Sequence, residues 1–305
     1  MERLQETRHA LGSNAVITLV VQDNADAAPV FAALWRTITE FEQRFSRFLP
    51  QSELSQFNAG AGSWTPASEP FREMLTTCQR LSRETAGLYN PFILPDLQRA
   101  GYVGSWPNPQ AGTTAQDYRE RRASAASAQI KIRGDSAKIP AGTALDFGGI
   151  GKGYLLDLLA AQLKKLQYGN YWLSLGGDII CSGNDLHGKP WAVGIQHASK
   201  ASETIGSISN KGGQRLAIAT SGVTKRKGAN WHHIIDPRTG EPASTDLLTA
   251  TLACSDATHA DVYAKCLVIL GSQGAAQFCK SHHITTAYLQ IRGGDVQLYK
   301  AKDTE

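Results

Sequence analysis

A chain of 305 residues is long enough to bury a sizeable core, as one large domain or two closely joined halves, and too long for a small disulfide scaffold. With 42% hydrophobic and 19% charged residues, 29 Gly and 12 Pro, it reads as globular and loop-rich; disordered, collagenous, coiled-coil and low-complexity classes are excluded. Lys and Arg outnumber Asp and Glu by only 31 to 27, and the basic clusters at 119–122 and 225–227 are short and separated, so nucleic acid is not an expected partner.

Cys78, Cys181, Cys254, Cys266 and Cys279 are an odd number without a C-x-x-C pair, which reads as reduced core thiols rather than a disulfide framework or a zinc site. The start carries acids and no apolar run, and no stretch approaches the ~18 apolar residues of a membrane span. The expectation is a soluble, cytoplasmic protein with no signal peptide or lipobox. A chain trimmed of its leader would read the same way.

The β-branched run 16–21 predicts a strand, and Phe31, Leu34, Trp35, Ile38, Phe41 and Phe45 follow at helical spacing. A Gly-rich turn is expected over 58–63. Pro70 then fits the first turn of a helix carrying Phe71, Met74, Leu75, Cys78 and Leu81 toward Gly87. Residues 103–128 are weakly patterned and suggest an internal boundary. A short strand at 129–133 precedes a Gly-rich segment and a helix with Leu155, Leu158, Leu159, Leu163 and Leu166 on one face. Strands are expected at 171–175, 191–196, 216–220, 232–235 and 248–254, then a helix over 258–270 and strands at 284–289 and 296–299. No regular βαβ period appears, which favours an α+β architecture over a doubly wound sheet.

Three segments carry chemistry. The glycines at 148, 149, 151 and 153 lead into a helix beside Lys152, but Asp146 and Gly153 break a Walker A loop and Tyr154 breaks a Rossmann fingerprint. Backbone N–H groups at a helix start with an added cation suit a phosphate; a tight turn with a solvated lysine accounts for the residues equally well. His232 and His233 precede an Asp-Pro-Arg-Thr-Gly turn, and in a strand only one of them can enter a given site. Asp261 and Lys265 have the spacing of a surface ion pair, with Asp256 and His259 the only support for a metal or phosphate site. Composition and spacing lead to an anion-binding α+β protein.

Taken in order, these segments resemble the FAD:protein FMN transferases, the ApbE-type flavin transferase family. The resemblance runs through Leu11-Gly12-Ser13; Ser46 to Asn58, with Ser52-Glu53-Leu54-Ser55; Gly87 to Pro91; and Asp146 to Asp157. It continues through Leu175 to Asp178, Ala219 to Gly222, His233 to Gly240 and Ala260-Asp261. It implies an ApbE-like fold over 1–305, two closely joined α/β halves with a flavin cleft between them. It also implies an enzyme that binds FAD with Mg2+ and moves FMN to a Ser or Thr hydroxyl of an acceptor flavoprotein, releasing AMP.

By that resemblance His233 is the base and Asp261 joins it as a catalytic residue. Leu11, Phe48, Leu88, Tyr89, Asn90, Asp146, Lys152, Thr220, Ser221 and Ile235 contact the flavin nucleotide, and the Gly149 carbonyl and Asp261 carboxylate hold the metal. Two residues depart from the pattern. Asn90 stands for the usual Asp, and Lys265 stands where the family often has a Thr metal ligand. An ammonium has no lone pair for a cation, so the metal site is either rearranged or partly replaced by Lys265 itself. A FAD hydrolase and a non-catalytic FAD-binding protein are the competing expectations.

Overall fold

The computed structural model describes residues 1–23, 26–104, 128–228 and 231–301. The chain forms two compact units, one of Met1–Thr39, Ile150–Thr224 and Thr245–Glu305, the other of Glu40–Gly149 and Lys225–Ser244. The stretch 103–128 expected as a boundary lies outside the described residues from 105 to 127, together with the basic cluster at 119–122. No helix of the described residues is long and apolar enough to cross a membrane.

The first unit is built on one sheet whose neighbours follow chain order. Its strands are β1 (Glu2–Ala10), β2 (Ser13–Val21), β3 (Tyr171–Leu175), β4 (Asp178–Ser182), β5 (Leu216–Gly222), β6 (Leu247–Cys254), β7 (Thr286–Ile291) and β8 (Val296–Lys300). Every adjacent pair is antiparallel. That decides for α+β, because a doubly wound sheet is parallel and needs a crossover helix between strands.

Two of these strands were not expected from sequence. β1 carries Glu2, Arg3, Glu6 and Arg8, charges that read as a solvated terminus but also blunt an edge strand. Helix α1 (Ala28–Phe45) holds it locally: Trp35 Nε1 donates to Glu6 Oε2 at 2.6 Å, and the Arg8 guanidinium lies 4.6 Å from the Trp35 ring centroid. β4 follows Gly176 and Gly177, which turn β3 back into a hairpin instead of ending it. A separate ribbon pairs Ala192–Gln196, as expected, with Thr204–Ser209, which lacks an apolar alternation.

Helix α2 (Gly151–Lys165) buries Leu155, Leu156, Leu159, Ala160 and Leu163, while Leu158 and Leu166 are exposed. The single leucine face expected over 155–166 is therefore corrected. At 100° per residue the buried set spans roughly 140°, Leu158 falls outside it, and Leu166 lies past the last turn. Helix α3 (Ala257–Ser281) extends beyond the expected end at 270 because it is two helical pieces joined at Gly271, with φ 70° and ψ −179°. Asp246 starts the second piece, its Oδ1 accepting from the Ser272 N–H at 2.9 Å.

The N-terminus of α3 is tightly capped. Asp256 Oδ1 accepts from the His259 N–H at 2.9 Å and contacts His259 Nδ1 at 2.7 Å. Asp157 of α2 accepts from the N–H groups of Ala257 and Thr258 at 3.0 and 2.8 Å and from the Thr258 hydroxyl at 2.6 Å. Asp256 and His259 are thus engaged in helix capping. Burial pushes the Asp256 carboxyl up, but the hydrogen bonds and charge of His259, with Arg215, outweigh it and hold it below its ordinary value.

Asp256→Ala is expected to cost about 1 kcal/mol near neutral pH through loss of the cap. Because the folded value is lowered, this contribution is complete above the unfolded value of about 3.9 and disappears as pH falls through the folded one. Thermal melts of both proteins should differ at pH 7 and converge below about pH 4.

The second unit packs around aromatic rings. Phe71 lies 5.1 Å from Phe57, 5.8 Å from Phe147 and 6.0 Å from Phe45 between ring centroids. Its helix, Glu69–Glu84, has Pro70 in the first turn as expected, is capped by Ser68, and buries Met74, Leu75, Cys78 and Leu81. The turn expected from residue 58 begins later, since Asn58 ends up inside a helix, Glu53–Ala59. Its amide exchanges two hydrogen bonds with the backbone of Leu145, at 2.9 and 2.8 Å, and so fixes the chain just before Asp146.

The strand expected over 232–235 shrinks to Ile235–Asp236, with His232 in an isolated bridge to Lys227. Beside this bridge the Gly228 N–H donates to the Trp231 carbonyl at 2.9 Å. The alternating-face argument for the two histidines therefore does not apply. All five cysteines are free thiols, four of them buried.

Candidate functional site

In the first unit the Gly-rich segment opens α2, and its first turn is surrounded by charge. Lys152 Nζ donates to Asp178 Oδ2, and Asp178 Oδ1 accepts from the Thr220 N–H at 3.2 Å. The Gly153 N–H donates to Asp261 Oδ2 at 3.1 Å, while Lys265 Nζ donates to Asp261 Oδ1 and, at 3.0 Å, to the Asp261 carbonyl. Asp178 and Asp261 are 2% and 1% exposed, so the expected surface pair at 261 and 265 is in fact built on a buried carboxylate. Burial pushes the Asp261 carboxyl up, but the Lys265 charge, then Lys152, outweigh it and hold it below its ordinary range. Its place at the positive end of α2 works in the same direction.

Gly153 makes this arrangement possible. An added Cβ would stand 2.2 Å from the Ala257 carbonyl oxygen and 2.8 Å from the Asp261 Cβ. Only a bare backbone lets the start of α2 approach α3 closely enough for its N–H to reach the carboxylate. Thr220, on β5, joins its hydroxyl to that of Thr251 at 2.8 Å, and the adjacent Ser221 is buried. Leu11 takes a positive φ in the turn between β1 and β2.

In the second unit Arg47, which sequence reasoning missed, ties Asp146 to Phe48 and Tyr102. Arg47 Nε bonds Asp146 Oδ2 at 2.7 Å, both side chains being 7% exposed, and its amino groups donate to the carbonyls of Tyr102 and Val103 at 2.9 and 3.2 Å. The guanidinium lies over the rings of Phe48 and Tyr102, 4.2 and 4.9 Å from their centroids. Phe48 is thereby held as a rigid, partly exposed aromatic surface. Tyr102 also packs on Ile235 and Leu97 and stands edge-on to the His233 ring at 6.4 Å.

The Asp146 N–H donates to the Pro91 carbonyl, and its Oδ1 accepts from the Gly148 N–H, both at 2.8 Å. Asn90 uses its side-chain oxygen to cap the turn Pro91–Ile93, and Tyr89 turns its hydroxyl into the core against Cys78 Sγ at 3.1 Å. Leu88 is half-buried beside them. The His233 N–H donates to the Arg226 carbonyl at 3.2 Å, and the Nδ1 atoms of His232 and His233 are both buried.

The ApbE family profile matches residues 11–289. The chain belongs to the ApbE family. Curated ApbE relatives named FAD:protein FMN transferase include one from Haemophilus influenzae, 27% identical over 270 residues, which spans 84% of this chain and 76% of its own length. Another, from Vibrio cholerae, is 28% identical over 272 residues and spans 85% and 79%. The solved flavin transferase ApbE from Vibrio cholerae is similar with a TM-score of 0.81 at 25% identity, covering 99% of this chain and 97% of that one. The apo flavinyl transferase ApbE of Pseudomonas stutzeri shares the fold, with a TM-score of 0.83 at 22% identity and coverage of 99% and 95%.

The Mg2+ implied by the ApbE resemblance does not fit the donor set found here. A hard dication needs oxygen lone pairs at about 2.1 Å. Asp261 has one carboxylate oxygen engaged by an ammonium and the other by a backbone N–H. A dication 4 Å from Lys265 Nζ would be repelled by roughly 8 kcal/mol at an effective dielectric of 20, twice the value for two unit charges. Among the described residues no three His, Cys, Asp or Glu side chains converge on a common point. Gly149, whose carbonyl was the other expected ligand, immediately precedes Ile150 at the N-cap of α2.

Proposed function

We propose that the protein is a FAD:protein FMN transferase, moving FMN from FAD to a Ser or Thr hydroxyl of an acceptor flavoprotein and releasing AMP. The observation that carries this reading is the pair of lysines, Lys152 and Lys265, each fixed by a buried aspartate around the first turn of α2. Fixed cations at a helix start suit a pyrophosphate, whose oxygens carry the charge that grows as the transferred phosphorus is attacked. The names of the relatives agree with it.

In the reaction the acceptor oxygen bonds to the phosphorus on the FMN side. The bond from that phosphorus to the bridging oxygen breaks, and the electron pair leaves on AMP. The hydroxyl proton passes to the His233 imidazole, the base in this reading. Lys152, oriented by Asp178, faces the phosphate oxygens. Phe48, stiffened by Arg47, offers the flavin ring a stacking surface. Thr220, Ser221, Leu11, Leu88, Asn90 and Ile235 complete the proposed nucleotide contacts. No step is assigned to Mg2+.

The test is incubation of the purified protein with FAD, with and without an acceptor flavoprotein carrying a threonine flavinylation site. Covalent flavin on the acceptor, with one AMP released per flavin attached, is the expected result. Free FMN and AMP irrespective of acceptor would make it a hydrolase, and unchanged FAD would leave only a binding protein.

A further inference from the structure

The first unit contains a cation where the resemblance implies a metal. We propose that the Lys265 ammonium takes the place of a divalent cation beside Asp261, so that the pyrophosphate of FAD binds here without Mg2+. The inference rests on the transferase reading of the site.

Three observations lead to it. Lys265 Nζ has three N–H groups; one meets Asp261 Oδ1 and one the Asp261 carbonyl, which leaves a third for a ligand oxygen. The Lys265 side chain is 18% exposed, so it is not sealed in the core as its partner carboxylate is. The carboxylate is itself fixed by the Gly153 N–H, so the ammonium is held in one place before any ligand arrives. A charge-assisted hydrogen bond from a pre-positioned ammonium to a phosphate oxygen supplies the neutralisation that a metal would otherwise bring.

FAD binding is the readout, followed by quenching of flavin fluorescence in EDTA and in millimolar Mg2+. The wild type is expected to bind equally in both. Lys265→Thr should bind about tenfold more weakly in EDTA and recover in Mg2+, because a neutral hydroxyl removes the repulsion and offers an oxygen. Direct titration with Mn2+, read by its electron paramagnetic signal, avoids dependence on the variant's folding: the wild type should show no tight site.

Wild-type protein that needs Mg2+ to bind FAD, or that binds Mn2+ tightly, would overturn the inference and leave the transferase reading standing. Absence of FAD binding in both buffers would overturn both.

Discussion

His233→Ala is expected to lower the rate of flavin transfer by about 100-fold to 10,000-fold while changing the FAD dissociation constant by less than about twofold. The asymmetry follows from what a base does. It takes a proton from the attacking hydroxyl as the new bond forms, and a group that acts only then contributes to the transition state rather than to ground-state binding. His233 is ordered for such a role by its backbone bond to Arg226 and by the Tyr102 ring. His232, whose backbone belongs to the bridge with Lys227, provides the internal control, and its alanine variant should retain most of the rate. Single-turnover transfer together with a fluorescence titration separates the two quantities. Equal losses in the two variants, or full activity in His233→Ala, would reject the assignment.

Gly153→Ala should damage the first unit more than any ordinary core substitution of one methyl group. The new Cβ would meet a carbonyl oxygen, a carbonyl carbon and the Asp261 Cβ at 2.2, 2.7 and 2.8 Å. Two of those atoms are backbone and cannot rotate away, so α2 and α3 must separate. That movement pulls the Gly153 N–H from Asp261, leaving a buried carboxylate short of a donor. Overpacking of this kind costs about 3 kcal/mol or more, a fall of roughly 10 °C in Tm. A melt indistinguishable from wild type would show that the helices are not packed at this distance in solution.

Much of the architecture was legible because its residues obey simple periodicities. The β-branched run in β2, the aromatic stripe of α1 and Pro70 at the start of its helix each have one low-energy reading, and the structure has them in place. β1 escaped because an edge strand is protected by charge rather than marked by apolar alternation. β4 escaped because a pair of glycines after an apolar strand can end it as readily as reverse it, and only positive φ at both Gly176 and Gly177 makes the hairpin.

The site was partly legible for the same kind of reason. Lys152 and Asp261 lie in segments with local signatures, but the i,i+4 spacing of Asp261 and Lys265 reports a shared helix face without telling whether that face is wet or buried. Burial came from α2, more than a hundred positions away in sequence, through Gly153. Arg47 had no signature of its own. Its importance comes from Asp146, Tyr102 and Val103, which only the folded chain brings to it.

The chain-order sheet sets a schedule for synthesis. β2 ends at Val21, yet its other partner, β3, begins only at Tyr171. At about 5–20 residues per second a ribosome needs roughly 8–30 s to make the intervening stretch. During that interval the β1–β2 hairpin presents an open edge, with the backbone of Ala15 to Leu19 lacking its β3 partners. Nascent chains stalled between these two strands are therefore the species most in need of a chaperone, and codons that slow this stretch should reduce the yield of soluble protein more than equally slow codons after β3 has emerged.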